Sequence, residues 1–256
     1  MAIEKTKAFV LKTLPYRETS GIFYLLTERQ GIVHGIAKGI RKKKASACFL
    51  ERGFLIETLI YSKPHRELHT LGDIHIVTYY PAIRKDLIKS ALRDAVFETF
   101  LTNVSAGFPV PELFSLATRF LVCLEQQKGN TPALLWSFYY EFSAFLGYRL
   151  NCDTCVSCGR NFSVSQAGYL VFEKGGFACD RCVGQKDMRH RVPPPLLKAL
   201  ALSDDCTLAE GIETLPAAER RRITRLLASY CHYHSETASD YKALEFLDSL
   251  LFSYCI

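Results

Sequence analysis

A chain of 256 residues with 48% hydrophobic and 23% charged residues has the make-up of a soluble globular protein, long enough for one or two domains plus a small module. It contains no run of about 18 or more apolar residues, which excludes a hydrophobic transmembrane helix. The net charge is +6, and all of it falls on residues 1–80, which hold 13 Lys and Arg against 7 Asp and Glu, while the remainder is balanced.

The start, MAIEKTKAFVLKTLPYRE, sets charged residues around a short apolar patch broken by Lys12, with no small-residue cleavage site after it. That pattern argues against a signal peptide and for the cytoplasm. The stretches KAFVLKTL, GIFYLLTE, IVHGIAKG, FLERGFLIETLIYS and LHTLGDIHIVTYY are rich in β-branched and aromatic residues. Turn signals separate them at Pro15, Gln30-Gly31, IRKKKASA and Lys63-Pro64-His65. Five short strands within 80 residues predict a small barrel, and the five-stranded barrel associated with oligonucleotides is the OB-fold. Strand count alone equally allows an SH3-like barrel. An uneven positive charge on such a barrel points to a polyanion, most commonly nucleic acid, or to a solvated basic face.

From Pro81 the period changes to three and four. Ile83, Leu87, Ile88, Ala91, Leu92, Ala95, Val96 and Phe100 predict one helix; Leu113, Leu116, Ala117, Phe120, Leu121 and Leu124 predict a second. A third has Thr131 as N-cap, Pro132 at its first position and Gly147 past its end. Helical periodicity resumes in PPPLLKALAL, AAERRRITRLLASYCHYH and DYKALEFLDSLLF. The simplest topology is one helical bundle interrupted by a cysteine-rich insert, with the last helices packing back on the first three.

Five of the ten cysteines lie between 152 and 182, and the others are scattered singly at 48, 123, 206, 231 and 255. A reducing compartment with one metal site fits that usage better than a disulfide framework. The first knuckle, NCDTCVSCGR, holds three cysteines at three-residue steps, so either Cys152 and Cys155 or Cys155 and Cys158 can form its C-x-x-C pair. With Cys155 and Cys158, the chain reads C-x2-C-x20-C-x2-C through Cys179 and Cys182. Four thiolates close a tetrahedral zinc shell and leave no open coordination position, so such a zinc is structural. Gly159 is expected to let backbone N–H groups turn toward sulfur, and Gly175-Gly176 to supply a turn before the second knuckle.

The second motif is AKGIRKKKASA, where Lys38, Arg41, Lys42, Lys43 and Lys44 cluster between two strands. Flexible cations on a loop can track phosphates without reading bases. Phe9, Tyr16, Phe23, Tyr24, Phe49 and Tyr61 are the aromatics available for stacking, most of them expected in the core. His65-Arg66-Glu67 matches half of the zinc-deaminase pattern, but no proline precedes Cys179 and the other two cysteines would be left without a role. Cys231, His232 and His234 read as helix residues rather than ligands, and ERRRITR as an exposed helical face. No P-loop, dinucleotide fingerprint, nucleophile elbow or H-E-x-x-H occurs, and no enzyme is predicted.

The order AFVLKTLPYRETSGIFYLLTERQGIVHGIAKGIRKKKAS, HRELHTLGDIHIV, FLGYRLNCDTCVSCGR and GGFACDRC resembles the bacterial RecO family of DNA repair proteins from end to end. Its most specific pieces are Tyr16-Arg17-Glu18, the turn from Thr27 to Gly31, Lys38-Gly39, and Gly175-Gly176 ahead of Cys179; the C-terminal helices match only in length and character. The resemblance implies an α+β multidomain protein: an OB-fold over 1–80, a helical domain over 81–150 and 188–256, and a zinc module inserted at 151–187. Proteins of that family carry G-Y-x-P-x-L-x-x-C-x-x-C-G. The alignment implied by Gly147-Tyr148 therefore sets Leu150 on the proline, Cys152 on the leucine, and Cys155 and Cys158 on the ligands. Some relatives lack the zinc cysteines, which implies a stabilising metal.

By the same resemblance the protein is a cytoplasmic, nucleoid-associated recombination mediator without catalytic residues. It is expected to bind single- and double-stranded DNA, to anneal complementary strands, and with RecR to load RecA on DNA coated by single-stranded-DNA-binding protein. No membrane or small-molecule substrate is expected. The rival reading is a zinc-containing protein-interaction scaffold that does not touch DNA.

Overall fold

The computed structural model describes residues 2–40, 50–62, 66–127, 132–163, 165–193, 196–197, 215–234 and 241–252. They fall into two compact units, Met1–Glu125 with Tyr241–Leu244, and Gln126–Asp240 with Glu245–Ile256.

The first unit is built on β1 (Ala2–Tyr16), β2 (Ser20–Thr27), β3 (Gly31–Ala37), β4 (Leu55–Ser62) and β5 (Leu68–Thr78). These close into a barrel in the order β1-β2-β3-β5-β4, antiparallel throughout except for the parallel β3–β5 seam. Alternation decides which side chains fill it: in β4, Ile56, Thr58 and Ile60 point in while their neighbours stay half-exposed. Ala8, Val10, Phe23, Leu25, Val33, Ala37, Leu71 and others complete that core. β1 departs from alternation, since Ala8 through Leu11 are all buried and its register with β2 shifts between Val10 and Lys12. Phe9, between the inward-facing Ala8 and Val10, points out of the barrel against Phe114, with ring centroids 5.1 Å apart, and the bulge after Val10 leaves Leu11 buried as well.

The β2–β3 turn is fixed by a buried threonine: Thr27 Oγ1 donates to the Gly31 carbonyl at 2.9 Å and accepts from Gln30 N–H at 2.9 Å. Gly31 has φ +67°, and a Cβ there would lie 1.9 Å from the Phe108 carbonyl oxygen, so only glycine fits. The fourth strand begins at Leu55, later than the apolar run from Phe49 implies. Gly53 N–H donates to the Val10 carbonyl and Phe54 N–H to that of Glu51, turning the chain before pairing can start.

The expected first helix is two, α1 (Pro81–Lys85) and α2 (Leu87–Asn103). Asp86 between them is extended, and its carboxylate accepts from Ile88 and Lys89 N–H, so a cap interrupts an otherwise continuous apolar period. Glu125, near the end of α3 (Pro111–Gln126), accepts from Ala82 and Ile83 N–H and caps α1. Glu98 of α2 accepts from Ala243 N–H at the start of α6 (Lys242–Phe252).

In the second unit α4 (Pro132–Phe145) packs on α5 (Ala217–Tyr233). The wholly buried Trp136 donates its indole N–H to Thr224 Oγ1 at 2.8 Å. The expected N-cap Thr131 lies outside the described residues, as does most of PPPLLKALAL. The cysteine-rich segment forms a small sheet of β6 (Gly168–Val171), β7 (Gly176–Ala178) and β8 (Arg191–Val192), in the order β7-β6-β8. No helix among the described residues is long and apolar enough to cross a membrane.

Candidate metal centre and nucleic-acid interface

The first knuckle is organised by Asn151. Its side-chain oxygen accepts from Asp153 and Thr154 N–H at 3.1 Å each, and its backbone pairs with Gly175 and Phe177 on the far side. A Cβ on Gly176 would meet the Asn151 carbonyl oxygen at 2.7 Å, so the second glycine of the pair is a contact surface for the knuckle as well as part of a turn. Cys155 N–H donates to the Arg160 carbonyl and Val156 N–H to that of Phe177, which ties the two knuckles together.

This framework brings Cys155, Cys158, Cys179 and Cys182 together, with all four sulfurs within 4.8 Å of one another. Cys158 Sγ and Cys179 Sγ are 3.9 Å apart. A tetrahedron with metal–sulfur bonds of about 2.3 Å has edges of about 3.8 Å, so the cluster matches the size of a four-thiolate shell. Cys155 Sγ accepts from Cys179 N–H at 3.3 Å and Ser157 N–H at 3.5 Å. Burial opposes ionisation of Cys155, yet the N–H groups of Cys179, Ser157 and Cys158 outweigh it and bring the thiol down to about 6. Cys182 is pushed up to about 12, first by hydrogen bonding with Cys179 and Cys158. The N–H of Gly159 goes to the Cys155 carbonyl rather than to sulfur, closing the knuckle as a turn.

Cys152 lies apart from the cluster. It is buried, its thiol donates to the Leu150 carbonyl at 3.7 Å, and burial pushes it up to about 12. Cys231 is likewise buried on α5 with its thiol donating to the Tyr139 carbonyl, and burial raises its pKa.

Sequence reading missed how the cysteine segment is seated within its unit. Phe172, just after β6, meets Tyr230 and Tyr233 of α5 edge-on at 5.6 and 5.5 Å. Arg222 donates to the Arg189 and Arg191 carbonyls and pairs with Glu219 at 2.5 Å. Arg221 and Arg225 pair with the buried Asp248 of α6. These three arginines of the ERRRITR run are therefore partly exposed but engaged within their unit; besides the local Glu219, their partners lie 23 to 33 residues away, beyond any local pattern.

Of the basic loop, Lys38 is described and exposed, beside Gly39; Arg41, Lys42, Lys43 and Lys44 lie outside the described residues. Of the candidate aromatics, Phe9 and Phe23 are core, Tyr16, Tyr24 and Tyr61 are half-exposed on the barrel, and Phe49 lies outside the described residues.

Barrel, helices and sulfur cluster together define an α+β protein carrying a four-cysteine module able to hold a metal ion. The chain matches the families described as Recombination protein O N terminal over residues 1–80 and Recombination protein O C terminal over residues 84–241. It is 27% identical to the DNA repair protein RecO of Chlorobium luteolum over 262 aligned residues, 97% of this chain and 99% of that one. It is 34% identical to that of Geobacter metallireducens over 164 residues, 62% of this chain and 64% of that one. It is 27% identical to that of Prosthecochloris aestuarii over 242 residues, 90% and 91% of the two chains. The chain belongs to the RecO family of DNA repair proteins.

Proposed function

We propose that this protein is a DNA-binding recombination mediator that anneals complementary strands and, with RecR, helps load RecA on single strands coated by single-stranded-DNA-binding protein. The carrying observation is that the whole excess of positive charge falls on the segment that closes into the barrel. Family membership supplies the biological setting. The five-strand order with its single parallel seam supports reading residues 1–80 as an OB-fold, a fold that holds oligonucleotides on its strand face and loops. Annealing needs no catalytic residue, because neutralising phosphates on both strands removes the repulsion between them. The protein acts in the cytoplasm on the nucleoid and performs no covalent chemistry.

The four sulfurs hold one structural Zn2+, with the module read as residues 151–187 inserted between helical segments 81–150 and 188–256. Sulfur spacing and the all-thiolate donor set support zinc. Lys38, Arg41, Lys42, Lys43 and Lys44 grip phosphates.

The test uses the full chain. Each engaged phosphate contact contributes about −0.7 to the slope of log K against log[salt] on single strands and about −0.9 on duplex. Replacing Lys42, Lys43 and Lys44 by Ala should flatten the single-strand slope by up to roughly 2 units and weaken binding almost equally across base sequences. An unchanged slope in a folded triple variant removes the loop from the interface. Absence of salt-dependent binding by the wild type favours the scaffold reading instead.

A further inference from the structure

A row of side chains crosses the barrel surface in register. Lys12 of β1 is the partner of Tyr24 in β2, Tyr24 of His34 in β3, and His34 of Leu68 across the parallel seam. The Lys12 ammonium sits 5.5 Å from the Tyr24 ring centroid, and the Tyr24 and His34 rings are 4.2 Å apart, tilted by 51°. Lys12, Tyr24 and His34 are half-exposed and Leu68 is exposed, so this is a surface ladder rather than core packing. It ends in a cavity of about 410 Å³, lined by Ile32, Val33, His34, Arg66, Glu67, His69, Ala106 and Gly107. That volume lies in the range of about 300–1,000 Å³ usual for small-molecule sites.

We propose that Tyr24 and His34 form a stacking platform for single-stranded DNA and that the cavity beyond them receives one unstacked nucleotide. The inference rests on the DNA-binding reading above and names the surface that would distinguish single strands from duplex. Each rung matches a part of a nucleotide. Lys12, over the Tyr24 ring, offers a cation and Arg66 a second one at the cavity, both suited to phosphate; His34, the outer ring of the contacting pair, offers a face to a base with Tyr24 packed behind it. Glu67 can accept from an exocyclic amino group, and the buried Nδ1 of His69 has no hydrogen-bond partner among the described residues, leaving a polar atom at the cavity for the base edge. Burial, reinforced by His69 and opposed by Glu67, holds His34 below its ordinary pKa, so it presents a neutral ring.

Ring faces act only on bases that are not already stacked in a duplex, and they contribute no charge to counterion release. The Tyr24→Leu, His34→Leu double variant keeps apolar bulk and removes both rings. It should lose about tenfold or more in affinity for a single-stranded oligonucleotide, the size of a lost base–aromatic stack, with duplex affinity and both salt slopes unchanged. Tyr24→Phe should retain single-strand affinity. A wild-type melting profile with unchanged single-strand affinity, or an equal loss on duplex, overturns the platform while leaving salt-dependent DNA binding standing. Loss of salt-dependent binding in the wild type itself sinks both. Should the double variant fail to fold, the wild type photocrosslinked to an oligonucleotide carrying 5-iodouracil supplies the decision. A crosslink within residues 20–36 supports the platform, and crosslinks confined elsewhere refute it.

Discussion

Cys152 and Cys155 are three residues apart, equally cysteine and equally buried, yet they have opposite environments. Burial raises Cys152, whose thiol donates to a backbone carbonyl, to about 12, whereas at Cys155 the opposing N–H donors outweigh burial and lower the thiol to about 6. Cys152→Ala should therefore leave metal content unchanged, while Cys179→Ser should lower it, both measured by metal analysis of purified protein. Metal lost from the first variant or kept in full by the second would refute the assignment. Spacing alone left two pairings open for this knuckle, because backbone N–H direction is not written in C-x-x-C. A second residue-scale dependence is the indole of Trp136, whose N–H has Thr224 as acceptor in a fully buried setting. Thr224→Val leaves that donor unmet and should cost about 1–3 kcal/mol of unfolding free energy in denaturant titration, whereas Thr224→Ser should restore most of it.

Among the elements, the strands and long helices were readable because alternation and three-to-four periodicity are local. What was not readable were interruptions made by distant or polar partners. Asp86 splits one apolar period into α1 and α2 by capping, and Gly53 delays β4 by turning toward β1. The arginines of α5 read as a solvated face because Asp248 and the carbonyls of Arg189 and Arg191 cannot be seen from helix periodicity. The Gly175-Gly176 pair was legible as a turn, but the closer constraint is that Gly176 lies against Asn151. Gly176→Val should force the first knuckle away from the second. The expected result is weaker metal retention in a chelator competition, with the barrel's far-ultraviolet β signal preserved; unchanged retention would mean that the knuckles do not depend on that approach.

At the scale of the whole molecule, charge and metal are set in different segments, since the basic excess lies in residues 1–80 and the sulfurs between 155 and 182. A structural metal contributes folding free energy to its own surroundings. Chelation should thus lower the thermal midpoint while DNA affinity, measured well below that midpoint, stays near the wild-type value. Lost DNA affinity with an unaltered melting profile would place the metal in the binding surface instead.

Closure of the barrel carries one more consequence. Each of its five strands has two hydrogen-bonded neighbours, but the seams are partial: β1 pairs with β4 from Ala2 to Phe9 and with β2 from Ala8 to Tyr16, and β3 meets β5 only from His34 to Ala37 against Leu68 to Leu71. Open edges are where foreign segments add themselves as an extra strand and where partly folded chains aggregate. A protein partner can therefore extend the sheet only along the short stretches outside those seams, and elsewhere on the barrel must recognise side chains and loops.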